Sequence, residues 1–287
     1  MSRRRATIIG GFIVLVGIAV TAYSFEVARN NPWRVKTIKS NQKSSASNNA
    51  PQAYLHRGLL RPDFIPKLNA LGDRLEKPGK ERLTLVGTLT SAGEAQPSHV
   101  VAILEFRDHL YLTISGHGQA KVISFDGENP ATSVGGSLEP QDLDLVETLV
   151  YDVTDHFLST QTRGLATRSL GARFRIDDGS ARTYVGPYYD IYEVNDKVIT
   201  SPEPRQQRRL YEFNSETLLL GRVCYQIERR GQPLKIETDL GGWFEQSSQQ
   251  LPRRIERLVN GSSVFLLTID AATVGPHVND GIFASKL

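Results

Sequence analysis

The chain has 287 residues, a single cysteine, a formal net charge of +3, and 39% hydrophobic against 23% charged residues. That composition supports one large or two small packed domains and excludes wholesale disorder. It also excludes an intrachain disulfide and a cysteine-rich metal site, and so slight a charge offers no electrostatic case for nucleic-acid binding.

The first element is "MSRRRATIIGGFIVLVGIAVTAYSF". Arg3, Arg4 and Arg5 precede an uncharged run from Ala6 to Tyr23. A bilayer forces backbone groups to bond internally, so such a run is stable there as a helix, and its length just spans a hydrocarbon core. Residues 1–24 therefore read as a signal-anchor or a signal peptide. The anchor is preferred, because a cleavable signal has a shorter apolar region, although Val20-Thr21-Ala22 offers small residues for cleavage. Arg3 to Arg5 favour a cytoplasmic N-terminus, while Arg29, Arg34, Lys36, Lys39 and Lys43 compete on the other side. The expected location is the inner (cytoplasmic) membrane, single-pass, with the C-terminal domain exported to the periplasm or cell exterior; the alternative is a cleaved, secreted periplasmic protein. No cysteine follows the apolar run to take a lipid.

Residues 25–52 read as a basic flexible linker. "SNQKSSASNNAPQ" is small and polar, and no acidic residue stands between Glu26 and Asp63. A short helix follows, with Phe64, Leu68, Leu71 and Leu75 at helical spacing, Asp63 as its cap and Pro66 in the first turn. Lys77-Pro78-Gly79 ends it.

The period then changes to two. "RLTLVGTLT" places Leu83, Leu85, Gly87 and Leu89 on one face; "HVVAILEFRDHLYLTISG" holds two strands around Arg107-Asp108; "AKVISFDGEN" adds a strand and an Asp-Gly turn. These form a meander. In "LEPQDLDLVETLVYDVTDHFLSTQ", Leu143, Val146, Val150, Val153 and Phe157 recur at three and four, which predicts one amphipathic helix or two short ones. Strands resume in "ARFRID", "ARTYVGPYYDIYEV", "RRLYEFN", "WFEQ", "RRIERLV" and "SVFLLTID", with Asn260-Gly261 as a tight hairpin. Among them "GRVCYQIERRGQPLKIETDL" is a hairpin with Val223, Tyr225, Ile227, Leu234, Ile236 and Leu240 on its apolar face.

The expected fold class is α+β: a large curved antiparallel sheet, an incomplete barrel, with one or two helices packed in its concavity and an N-terminal transmembrane helix before it. So wide a sheet curls.

The order of these elements, and above all "RRLYEFNSETLLLGRVCYQIERRGQPLKIETDLGGWFEQSSQQLPRRIERLVNG" with the closing "VNDGIF", resembles the LolA/LolB lipoprotein-carrier superfamily across residues 53–287. The resemblance implies an incomplete, strongly curved barrel closed by helices, with lipid held in its concavity. No position matches a cargo-binding arginine, so lipoprotein transport is not implied.

Few residues suggest chemistry. His56, His99, His109, His117, His156 and His277 form no metal-binding pair at local spacing, although His99, His109 and His117 lie on neighbouring strands. Ser115 lacks a nucleophile elbow, Asp177-Asp178-Gly179 is a turn rather than a calcium loop, and Cys224 on a polar strand face is a bystander thiol. Asp152, Asp155 and His156 share a helix, either paired or as a solvated face. No catalytic, metal or cofactor site is expected. Arg205, Arg208, Arg209, Arg229, Arg230, Arg253 and Arg254 are expected to form an exposed basic rim, for a lipid headgroup or an envelope protein partner, or as protection of sheet edges. Tyr188, Tyr189, Tyr192, Trp243 and Phe244 line a cavity mouth or complete the core.

The expected function is a membrane-anchored, non-catalytic envelope protein that binds a lipid or other hydrophobic ligand. By strand parity its ligand-binding residues are Leu85, Leu89, Leu104, Phe106, Leu112, Val223, Tyr225 and Ile236. One alternative is an interaction scaffold with a filled core; another is a hydrolase using converging histidines.

Overall fold

The computed structural model describes residues 63–71, 74–116, 120–133, 138–174, 187–197, 206–229 and 231–283. The chain divides into two units, Met1–Ala50 and Pro51–Leu287. The first unit, and with it the apolar run and most of the linker, lies outside the described residues, as do His56, His117, Asp177, Asp178, Arg205 and Arg230. No helix among the described residues is long and apolar enough to cross a membrane.

Three helices are described: α1 (Phe64–Ala70), α2 (Pro140–Val150) and α3 (Thr154–Thr162). The strands are β1 (Glu81–Ser91), β2 (Ser98–Glu105), β3 (His109–Ser115), β4 (Lys121–Asp126), β5 (Pro130–Thr132), β6 (Thr167–Phe174), β7 (Tyr188–Lys197) and β8 (Gln206–Asn214). They continue as β9 (Leu220–Arg229), β10 (Gln232–Gly241), β11 (Phe244–Gln246), β12 (Gln249–Leu251), β13 (Arg254–Val259) and β14 (Ser262–Pro276). Twelve of them form one sheet in the order β5-β4-β3-β2-β1-β14-β13-β10-β9-β8-β7-β6, while β11 and β12 make a separate small hairpin. The sheet pairs antiparallel throughout and is not closed, since β5 and β6 are its two edges. A large open antiparallel sheet with few helices fits the curved-sheet α+β fold.

The helical interruption is two helices rather than one. Glu139 caps α2 in a capping box, its backbone N–H donating to Asp142 Oδ2 at 2.9 Å, and Pro140 starts the first turn. The chain bends after Val150, and α3 begins at Thr154. In α1 the helix stops at Ala70, short of Leu75, and Asp63 pairs with the Lys67 ammonium at 2.5 Å instead of capping the backbone.

Register steps at four places bend the sheet. They fall at Val86/Gly87, Glu212/Phe213, Arg257/Leu258 and Ser169/Gly171. The first requires glycine, because a Cβ on Gly87 would lie 2.1 Å from the Thr268 carbonyl oxygen. It also shifts the parity of β14, whose buried residues run Phe265, Leu267, Ile269 and then Ala272.

One face of the sheet carries the core. Leu83, Leu104, Leu110 and Phe125 form a cross-strand row, and Leu85, Ala102, Leu112 and Ile123 form the next. The α2 side chains Leu145, Val146, Leu149 and Val150 belong to the same cluster. A second cluster joins Phe64 and Leu68 of α1 and Phe157 and Leu158 of α3 to β7–β10. Phe64 packs at centroid distances of 4.4 Å on Tyr192 and 5.2 Å on Phe213.

Candidate functional site

The seam between the helices and the sheet holds an apolar cleft. Leu68 on α1, Leu71 at its C-terminal end, Val153 before α3 and Thr154 at its first position, Leu218 and Leu219 in the β8–β9 turn, Leu240 on β10 and Trp243 border it. It leaves about 20 Å³ for the centres of water-sized occupants, room for one or two waters. Two of its polar members, Arg74 and Asp155, hold each other. Arg74 donates from its backbone N–H to Asp155 Oδ1 at 2.8 Å, from Nε to Asp155 Oδ2 at 3.2 Å and from Nη1 to the Leu149 carbonyl at 2.8 Å.

One residue that lines the cleft, Leu218, has an unusual backbone. Leu218 has a φ of 61°, and Ser247 and Ser248 at the β11–β12 turn have φ of 52° and 66°. Side chains disfavour this region, and such residues persist where surrounding structure holds them. Around Leu218 that structure is an Asn214 turn, whose side-chain oxygen accepts from the backbone N–H groups of Glu216 and Thr217 at 2.9 Å each.

Next to the cleft, on the inner face, lies a group of buried charges. Arg209 on β8 and Arg257 on β13 are both fully buried. Arg209 donates to Asp152 and to Glu147. Arg257 donates through Nη1 to Asp152 Oδ2 at 2.6 Å and to Thr238 Oγ1 at 2.9 Å, and through Nη2 to the Tyr225 phenol at 2.7 Å. Thr238 donates to Asp152 Oδ2 at 2.5 Å. Asp144 accepts from Arg257 and from the half-buried Arg229, each at 3.3 Å. Burial pushes the Glu147 carboxyl above its ordinary value, against the pull of Arg209. Burial works against the charge of Arg209, but Glu147 and Asp152 outweigh it and hold that guanidinium ionised.

The eight residues expected on the inward face separate as follows. Leu85, Leu89, Leu104 and Leu112 are buried in the cluster around α2. Val223, Tyr225 and Ile236 are buried in the cluster around α1 and α3, and Tyr225 lies beside the two arginines. Phe106 departs from the parity of β2. It sits in the β2–β3 turn at a φ of 53°, is 41% exposed, and packs its ring on those of His109 and His277 at 5.0 and 5.3 Å.

The basic rim is corrected at Arg209, which points into the core. Arg208, Arg253 and Arg254 are exposed and Arg229 is half-buried. Composition alone suggested a rim, yet Arg209 alternates with Tyr211 and Phe213, and that parity was the available signal for an inward side chain. Arg257 alternates in the same way with Ile255. Asp152, Asp155 and His156 are neither a solvated face nor an Asp152–His156 pair. All three are buried; Asp152 meets the arginines, Asp155 meets Arg74, and His156 pairs with Asp196. Cys224 faces away from the core as expected but is covered by Ile191 and Leu210, and burial raises its thiol well above the ordinary value. His99 pairs with Ser115 and His109 with Glu105, at opposite ends of β2 and β3, so these two histidines do not converge. Among the described residues no group of three or more metal-ligating side chains is found. Of the aromatic residues, Trp243 borders the cleft, Tyr192 is core, and Phe244 lies under Arg253 at 5.0 Å.

A scan against protein-family models finds no match. A comparison with curated proteins also finds none. Similar solved structures include the following three. A LolA superfamily protein from Nitrosomonas europaea is 14% identical, over 78% of this chain and 98% of that one, with a TM-score of 0.48. An outer membrane lipoprotein-sorting protein domain from Vibrio parahaemolyticus is 9% identical, over 77% and 95%, with a TM-score of 0.43. A DUF1329 family protein from Desulfovibrio piger is 11% identical, over 78% and 95%, with a TM-score of 0.40. The first belongs to the superfamily that the sequence resembles. At these values the likeness is one of chain path, and it assigns no ligand or activity to this protein.

Proposed function

We propose that this protein is a membrane-anchored, non-catalytic envelope protein that binds a lipid or other hydrophobic ligand between its helices and the inner face of its sheet. The apolar cleft bordered by Leu68, Leu71, Leu218, Leu240 and Trp243 carries this reading. Apolar walls with few polar groups suit a hydrocarbon chain, and the positive φ of Leu218 falls on the cleft's own lining. Leu85, Leu89, Leu104, Leu112, Val223, Tyr225 and Ile236 form the floor that an admitted chain reaches when the short helices shift. The N-terminal apolar run anchors the protein in the inner membrane, with the C-terminal unit exported.

A filled inner face favours a second reading, an interaction scaffold. Leu104, Leu112, Val223 and Ile236 have no exposed surface, and the exposed Arg208, Arg253 and Arg254 then offer a partner surface.

Trp243 supplies the test. Trp33 is the other tryptophan, so Trp33→Phe leaves one indole at the cleft. Brominated acyl chains that enter the cleft quench Trp243 saturably, and Leu71→Asp abolishes the quenching. Unchanged fluorescence with every chain length supports the scaffold.

A further inference from the structure

The centre of the inner face carries side chains for which a purely apolar ligand has no use. Arg209 and Arg257 hold their guanidinium carbons over the Tyr225 ring at 4.4 and 5.3 Å. With the Tyr225 phenol and the Thr238 hydroxyl they make a set of planar forks and hydroxyl donors, the chemistry that recognises a carboxylate. The set is occupied by the protein itself: Asp152 accepts from Arg209, Arg257 and Thr238, and Glu147 from Arg209.

We propose that Arg209, Arg257, Tyr225 and Thr238 form the head-group site for the carboxylate of a single acyl chain, with Glu147 and Asp152 standing in that site when no ligand is bound. The proposal rests on the carrier reading and names its ligand class.

Four observations support it. Removing charges from water costs several kcal/mol per ion, and apolar residues fill an interior at lower cost, so a network of this size is unexplained by packing alone. Arg257 Nε is buried without a hydrogen-bond partner, a donor in place within the site. The groups that fill the set are carboxylates, so the niche already has the shape and charge of a fatty-acid head. Finally, Asp152 is followed by Val153 and Thr154, which border the apolar cleft. A chain admitted to the cleft by a shift of the short helices, as the carrier reading requires, runs along the α2–α3 link to the arginines. Exchange replaces one carboxylate with another, and Glu147, already disfavoured as an anion by its burial, is the group that yields.

The test compares dansyl-aminoundecanoic acid with its methyl ester on the full-length protein held in amphipol, at neutral pH. The acid is expected to bind about tenfold more tightly than the ester. Arg257→Met is expected to bring the acid down to the affinity of the ester. Glu147→Gln is expected to tighten the acid several-fold and leave the ester unchanged; this variant decides the matter if Arg257→Met does not fold. Equal binding of acid and ester overturns the head-group site and leaves the carrier reading standing, as does an acid preference that survives in a folded Arg257→Met protein or fails to increase in Glu147→Gln. Binding of neither probe overturns both. Displacement of the acid by dodecyl phosphate more readily than by dodecanoate overturns the carboxylate assignment in favour of a phosphate head.

Discussion

Arg257 donates through Nη2 to the phenolic oxygen of Tyr225 at 2.7 Å, tying β13 to β9 across the intervening β10. Both side chains are buried, so neither has water as a substitute partner. Tyr225→Phe keeps the ring under the arginines and removes the acceptor. The expected cost is about 1–3 kcal/mol in urea unfolding. No loss of stability would mean that Arg257 finds another acceptor nearby.

Removing Asp152 is expected to cost more. The variant Asp152→Ala strips a counter-ion from two fully buried guanidinium groups at once. Breaking a buried pair from one side costs about 3–5 kcal/mol, because the remaining charge stays in the interior. The quadruple variant Glu147→Gln/Asp152→Leu/Arg209→Met/Arg257→Met removes both buried arginines together with their counter-ions, leaves Asp144 paired with Arg229, and is expected to recover most of that loss. Chemical denaturation of the two proteins separates a need for charge balance from a need for the charges themselves.

Acid should weaken the fold through His156. Burial holds this imidazole below its ordinary value of 6.5, although the hydrogen bond to Asp196 opposes that shift. The neighbouring groups are the Tyr151 ring at 4.6 Å, Asp196 on β7, Arg209, and Arg163, which reaches Asp196 at 3.6 Å. A folded value below the unfolded one means that the unfolded chain takes the proton first. The contribution is therefore complete above 6.5 and is lost as pH falls through that value toward the folded one. Unfolding midpoints measured from about pH 8 down to about pH 5.5 should decline, and His156→Gln should flatten the decline. An equal slope in both proteins would assign it to other groups.

Two exposed serines offer a gain. Ser247 and Ser248 hold φ of 52° and 66° in a two-residue turn, a conformation suited to asparagine followed by glycine. Ser247→Asn/Ser248→Gly is expected to raise stability by about 1 kcal/mol. Should the same double variant weaken acyl-chain quenching of Trp243, the strained hairpin also shapes the cleft.

The step at Gly87 admits no side chain. Gly87→Ala sets a methyl group against the Thr268 carbonyl, which is backbone and cannot rotate away. A loss of at least about 2 kcal/mol is expected, visible as a lower unfolding midpoint with the β1–β14 amides exchanging faster. Gly93→Ala is a poor control despite its open surroundings, because its φ is 85°; Gly241→Ala, with nothing close and an ordinary φ, is the better one.

Much of the sheet was legible because alternation is local. Leu83, Leu85 and Leu89 share a face by spacing alone, and the Asn260-Gly261 hairpin follows from residues that accept positive φ, as their values of 51° and 79° show. Legibility ended where a register step or turn changed the parity. Phe106 lost the inward face because its backbone turns one residue early, and β14 changes phase at its bulge.

The amino-acid sequence by itself determined the kinds of element, their order and the alternating faces, since each depends on neighbours a few residues apart. The tertiary structure alone decided which charges are buried and with whom. Asp152 meets Arg209 and Arg257 at separations of 57 and 105 residues, and Arg74 meets Asp155 across 81. A charged side chain written in a sequence is indifferent to burial. Only the folding of a sheet around its helices sets the partner, the distance and the exclusion of water that turn it from a solvated surface group into part of a site.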